Sequence, residues 1–284
     1  MSSIGVGFAL QPDRVFLDAC APLLALVDYV EVAPETMWRP ADDGAVVDNG
    51  FHTRFVSLAA ARDLPFVAHG VALSLGSDDD AAALAHHALW LKRVAHMHAR
   101  LRFRWYSDHS GATILGGEGV QLPLPVPMTE TRAALVRGRL MGVRDVVGRA
   151  ALETSALPFQ LGDPLDEPAF LARCVDAPGL HLVLDLHNVV VMAENLAFDA
   201  RAYVAGLPLE RVIEIHVAGG RVSDPGWLPE GKTVRLDGHD DAVPPLVWSL
   251  LDEVLPRCPQ LRGVTLERRE GTIFSDDDVA LMRD

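Results

Sequence analysis

Eight short apolar runs recur along the chain at intervals that leave room for a helix between most neighbours. They are Ile4–Phe8, Tyr29–Val32, Pro65–His69, Phe103–Ser107, Ala150–Thr154, Leu182–His187, Val212–Val217 and Val264–Glu267. Between them, Pro12–Leu26, Phe51–Arg62, Asp80–Leu101, Thr129–Val147, Glu167–Val175, Asp199–Ala205 and Val243–Leu255 mix apolar and polar residues at helical spacing. HLVLDL and RVIEIHV are almost wholly apolar before their polar ends, as parallel strands buried on both faces are. This alternation predicts an α/β fold, a (β/α)8 TIM-type barrel forming one domain over residues 1–284. An open doubly wound sheet fits less well, because no GxGxxG follows the first strand. Two long loops, 34–50 and 110–127, are expected to wall or cover the mouth.

From the third run onward, nearly every predicted strand ends on a side chain that can bind a metal. VAHG ends near His69, YSDH at His109, and LETS carries Glu153 with Thr154 beside it. LDLHN carries Asp185, His187 and Asn188, EIHVAG has His216, and TLERRE has Glu267. Asp237 and His239 stand in LDGHD, in the loop before the last strand. A closed barrel brings strand ends to one mouth, so these residues are expected to meet at a metal centre there. Imidazole and carboxylate without thiolate suit iron, manganese or zinc. The set exceeds the needs of one ion, which points to two or three ions with a bridging carboxylate such as Glu153.

Composition narrows the setting. A formal charge of -14 has the wrong sign for tracking phosphates, so nucleic acid is not an expected partner. Asp78–Asp80 and Asp276–Asp278 are expected to be solvated acidic runs. Cys20, Cys174 and Cys258 form neither a CxxC pair nor an even set, which favours a reducing cytoplasm. No membrane span and no secretory signal is recognisable.

Other motifs carry less. His52, His86, His87, His96 and His98 fall in helical stretches and His181 at the opening of a strand, so these six are expected to pack or face solvent. Adjacent or i,i+2 histidines do not share a helix face. The serines of Ser74–Ser77 are expected to cap the helix starting near Asp80. Trp38, Trp105 and Trp227 are expected near the mouth. SDHSG crowds Ser107, Asp108, His109 and Ser110 together, whereas a hydrolytic triad draws its members from distant segments.

The strings IGVGFALQPD, DYVEVAPE, FVAHGVALSLGS, SDH, LPLPVPMTE, LVLDLHNVVVMAEN, FDARAYVAGLP, EIHVAG and LDGHD together resemble the multinuclear non-heme iron-dependent oxidative enzymes. These TIM-type barrels modify ribosomally made peptides, and the likeness runs from Ile4 to about Glu267. The resemblance implies two or three irons, mixed Fe(II)/Fe(III), with O2 as cosubstrate. It implies that His69, His109, Glu153, Asp185, Asn188, His216, Asp237, His239 and Glu267 ligate metal. It further implies a precursor peptide, modified at a Cys, Asp or Asn, and a separate partner protein that binds the leader. The chain departs from the family where Glu-Asn-Pro is common and Glu153-Thr154-Ser155 stands instead, and His187 occupies a place where Asn is frequent. Thr154 and His187 are therefore expected beside the metals or the substrate. Two rival classes fit the same residue types: a zinc- or manganese-dependent hydrolase or isomerase on this barrel, and a barrel kept for metal storage or partnership without turnover.

Overall fold

The computed structural model describes residues 4–41, 45–157, 159–269, 271–272, 279–280 and 282. Asp276–Asp278 lie outside the described residues. Eight parallel strands close into a single barrel: β1 (Gly5–Leu10), β2 (Tyr29–Val32), β3 (Phe66–Gly70), β4 (Tyr106–His109), β5 (Ala150–Glu153), β6 (Leu180–Asp185), β7 (Val212–Val217) and β8 (Gly263–Leu266), with β8 pairing back onto β1. Helices α1 (Arg14–Ala19), α2 (Gly50–Arg62), α3 (Ala81–Leu101), α4 (Glu130–Val147), α5 (Glu167–Cys174), α6 (Leu186–Leu196), α7 (Ala200–Gly206) and α8 (Pro245–Val254) follow the strands. The predicted barrel is therefore the observed one.

Several elements differ from expectation. The stretch 12–26 is a short α1 and a separate 3-10 turn at Leu23–Ala25, because Pro22 interrupts the helical ladder. β4 begins at Tyr106, not at Phe103. β6 stops at Asp185, and His187 belongs to α6, which the sequence pattern did not predict. Every residue from Leu186 to Ala193 is buried, so no polar stripe marks that helix. The long loops contain antiparallel hairpins, Trp38–Pro40 with Val46–Asp48 and Ala112–Leu115 with Glu118–Leu124.

The strand period of two builds the interior in layers. A lower apolar layer packs Tyr29, Val67, Trp105, Ala151, Val183 and Ile213. Two residues further along the chain from five of these, Glu31, His69, Ser107, Glu153 and Asp185 are all buried. Trp105 is thus part of the floor beneath this polar layer and not a wall of the mouth, while Trp227 is exposed. Tyr29 fills the floor so closely that a Cβ on Gly263 would stand 2.2 Å from its hydroxyl.

The Ser74–Ser77 loop does not cap α3. Asp80 does so, accepting from Ala83 N at 2.8 Å. Ser74 instead accepts from Thr113 N and Ile114 N, and Ser77 donates to Ile114 O, which pins the second hairpin. Arg139 gathers the carbonyls of Ser74, Leu75 and Ser77. In the acidic run before α3, Asp78 and Asp79 are exposed as expected, and they also pair, Asp78 with Arg132 at 2.6 Å and Asp79 with Arg139 at 2.7 Å.

Candidate metal centre

Strand register sets the positions. His109 of β4 pairs level with Glu153 of β5, and Asp185 of β6 pairs level with His216 of β7. Glu153 becomes the shared neighbour: one oxygen contacts His109 Nδ1 and lies 3.5 Å from His69 Nε2, and the other lies 3.3 Å from His216 Nδ1. Asp185 Oδ2 is 3.9 Å and Glu267 Oε2 3.5 Å from the same His216 nitrogen. Two overlapping groups result, His69–His109–Glu153 and Glu153–Asp185–His216, each with donor atoms within 4.8 Å of one another.

Asp185 has two tasks. Oδ1 caps α6 by accepting from Asn188 N at 2.7 Å, which leaves Oδ2 in the polar layer without a partner. Thr154 fastens this junction. Its hydroxyl accepts from Asp185 N at 2.9 Å, and its carbonyl accepts from Asn188 Nδ2 at 3.1 Å, so Asn188 Oδ1 is left free and buried.

A third group lies nearer the mouth. His187 Nδ1 and His239 Nε2 approach one oxygen of Asp237, at 3.2 and 2.8 Å, and Glu267 spans toward His239 at 3.7 Å. The loop bearing Asp237 and His239 rests directly on Gly219 and Gly220. A Cβ on Gly220 would meet Leu236 O at 2.1 Å, and one on Gly219 would meet Ala242 O at the same distance. Arg235 holds the loop's start, through Glu194 at 2.5 Å and the Gly220 carbonyl at 3.0 Å.

Of the nine residues expected as ligands, eight are linked side chain to side chain, together with His187, and Asn188 stands beside them through Asp185 and Thr154. The sequence pattern missed several others. Glu31 is 2% exposed and lies 3.2 Å from His216 Nε2. Glu214 lies beneath it, accepting from Tyr29, Thr265 and Trp105. Asp108 accepts from Tyr106 OH, and Glu35 from Val71 N. The available signal was a glutamate inside an otherwise apolar strand, YVEV and VIEIHV.

Electrostatics follow from the crowding. Burial drives the His69 ring down to about 4, whereas for His109 the Glu153 carboxylate outweighs burial and holds it up to about 9. Burial likewise opposes charge on His239, but Glu267 and Asp237 hold it up to about 10. Burial pushes Glu31 and Asp108 up to about 8, and burial together with Glu267 and Glu153 raises Asp185 well above the usual carboxylate range. Glu153 goes the other way. Burial opposes its ionisation, yet His109 and His69 hold it well below normal. Side-chain atoms of Glu31, Asp185, His187, Asn188 and His216 are buried without a hydrogen-bond partner, while Glu153 Oε2 and His239 Nε2 face His109 and Asp237. Orphaned carboxylate and imidazole atoms pointing together are costly to keep unless cations join them. The donor set, all nitrogen and oxygen, fits non-heme iron, zinc or manganese.

The helical histidines lie outside this centre. His86 and His87 bond the carbonyls of Ala72 and Ser74. His96 and His52 instead gather about Asp48, at 2.8 and 3.4 Å, a grouping of separate elements that helical spacing could not reveal.

A family model described as RiPP precursor modification enzyme MbnB/TglH/ChrH matches residues 3–276. The chain belongs to this family. Members of the MbnB/TglH/ChrH family are enzymes that modify the precursors of ribosomally made peptides, and this barrel is one of their number. A UPF0276 protein of Caulobacter vibrioides is 31% identical over 284 residues, covering 99% of this chain and 90% of that one. A UPF0276 protein of Rhizorhabdus wittichii is 33% identical over 281 residues, covering 98% and 89%. Among solved structures, D-psicose 3-epimerase aligns with a TM-score of 0.58 at 13% identity, covering 99% of this chain and 91% of that one. The IOLI protein with a bound zinc atom aligns at 0.61 with 12% identity, covering 99% and 95%. Endonuclease IV from Thermus thermophilus aligns at 0.54 with 18% identity, covering 98% and 96%. At these identities the family member shares their barrel fold alone. Among the described residues, no helix is long and apolar enough to cross a membrane.

Proposed function

We propose that this chain holds two or three iron ions, Fe(II) and Fe(III), at the barrel mouth and uses O2 to oxidise a Cys, Asp or Asn residue of a ribosomally made precursor peptide. The observation that carries the reading is the convergence of orphaned buried carboxylates and imidazoles on shared positions, with Glu153 common to two of them. His69, His109, Glu153, Asp185, Asn188, His216, Asp237, His239 and Glu267 would hold the ions. When bound, such ions would supply open coordination positions for a substrate donor atom and for O2, and would relay electrons from the substrate to O2 as the oxidant.

The protein's own share is positional and electrostatic. Glu153 neutralises positive charge at two neighbouring positions at once. Thr154 fixes Asp185 by holding its backbone N–H, so that Oδ2 faces the centre while Oδ1 caps α6. The His69 ring is aimed by Ser107, whose hydroxyl lies 2.9 Å from Nδ1 and leaves Nε2 toward Glu153. His187, fully buried beside Asp237, stands where it can bind metal or meet the substrate. We further propose that a separate partner protein presents the peptide leader, that nucleic acid and membranes are not partners, and that the enzyme works in the cytoplasm. Three buried free cysteines and the acidic surface support that setting.

The direct test supplies iron-loaded protein with short peptides encoded beside its gene and follows peptide mass with and without O2. A mass change that requires both iron and O2 supports the reading. Turnover with zinc or manganese in the absence of O2 moves the function to hydrolysis or isomerisation on the same barrel.

A further inference from the structure

His216 has a carboxylate on each side of its ring. Nδ1 faces Glu153, Glu267 and Asp185 at 3.3, 3.5 and 3.9 Å. Nε2 faces Glu31 at 3.2 Å and Glu214 at 3.8 Å. The two carboxylates on the Nε2 side are not equivalent. Glu214 is occupied from below, receiving Tyr29 OH at 2.9 Å, Thr265 Oγ1 at 2.5 Å and Trp105 Nε1 at 2.6 Å. Glu31 Oε2 is buried, has no hydrogen-bond partner, and its near neighbour is the His216 ring.

A neutral imidazole carries one donor and one acceptor nitrogen. With three carboxylates on the Nδ1 side and one unsatisfied carboxylate on the Nε2 side, only one assignment serves both. We propose that Glu31 is a positioning residue for His216: it accepts the Nε2 proton and so turns the Nδ1 lone pair toward Glu153, Asp185 and Glu267. This rests on the metal centre proposed above, whatever the metal's identity. A carboxylate behind a metal-bound imidazole fixes its tautomer and ring orientation and strengthens it as a ligand. Direct ligation by Glu31 is the competing role, since Glu31, His69 and His216 also lie within 4.8 Å of one another. His69 speaks against it: its Nδ1 is taken by Ser107, and its Nε2 lies toward Glu153, on the Nδ1 side of His216.

The test compares full-length wild type, Glu31→Gln and Glu31→Ala. Each is stripped of metal, then titrated without oxygen with Fe(II), and in parallel with Zn(II), against a chelating competitor. Mössbauer spectra are recorded at saturation, with melting curves of each stripped protein. The expected result is equal stoichiometry at saturation for all three proteins. One ion should bind Glu31→Ala about 10–100-fold more weakly, with Glu31→Gln between, because its amide oxygen still accepts the Nε2 proton. One iron subsite should change its quadrupole splitting, while the stripped Glu31→Ala protein melts no lower than wild type. Affinities and spectra equal to wild type in both variants would overturn the inference alone, and loss of a whole equivalent at saturation would make Glu31 a ligand instead. If Glu31→Ala does not fold, the Glu31→Gln affinity and spectrum decide by the same criteria. A wild type that takes up neither metal would overturn the centre itself, and a wild type that takes up Zn(II) but not Fe(II) would overturn only the iron reading.

Discussion

Removing the carboxylate of Glu153 takes a shared neighbour from three imidazoles at once, those of His69, His109 and His216. Glu153→Ala and His216→Ala are each expected to lower metal content and turnover together, read by elemental analysis beside peptide turnover. Full metal and full activity in either variant would mean that the site is misplaced. Proton binding gives an independent handle. The His109 and His239 rings, held up by their carboxylates to about 9 and about 10, and the Glu31 carboxyl, pushed by burial to about 8, all bind protons more tightly in the folded chain. Their stabilisation is complete below the unfolded values, about 6.5 for His and about 4.3 for Glu, and is lost as pH rises through 8 to 10. Metal-stripped protein should therefore melt lower at pH 10 than at pH 7 in calorimetry, and loaded protein should lose less. A stripped protein that gains stability over that range would contradict the charge assignment. Of these side chains, those at strand ends were legible because an apolar run stops on them. Glu31 and Glu214 were not read, since a glutamate inside an apolar strand marks an unusual buried charge but does not say what it faces until the barrel is closed.

At the scale of elements, the site depends on the β5 end, the start of α6 and the loop over Gly219–Gly220. Thr154→Val leaves the Asp185 N–H buried without an acceptor, which costs about 1–3 kcal/mol in denaturant unfolding; an unchanged midpoint would remove Thr154 from this role. Gly220→Ala drives a Cβ into the Leu236 carbonyl and displaces the loop carrying Asp237 and His239. Metal held by His187, Asp237 and His239 should be lost while the ions around Glu153 remain, a drop of one equivalent in elemental analysis. Full retention would mean that this loop does not bind metal. The eight strands were legible because strands covered by helices are uniformly apolar, and the helices because most have a polar face. α6 escaped notice because its first two turns are buried all round, and Phe103–Trp105 mimicked a strand because buried Phe103 and Trp105 flank an exposed Arg104, with Trp105 packed in the barrel floor.

At the scale of the molecule, the barrel concentrates buried negative charge at one end of a chain already at -14. Cations that bind only the folded state stabilise it by mass action, about 4 kcal/mol when free metal stands 1,000-fold above its dissociation constant. Removing the metal should thus lower the melting temperature by several degrees, reversibly on reloading. The closed-barrel topology was readable from strand and helix alternation, whereas the grouping of ligands into overlapping positions was not, because it depends on register between strands far apart in sequence. The proposed chemistry turns on the identity and number of the ions. Elemental analysis with Mössbauer spectroscopy, on protein purified without oxygen from iron-supplemented cells, reads both. Two or three irons per chain in mixed valence is the result expected, and stoichiometric zinc or manganese with no bound iron would contradict it.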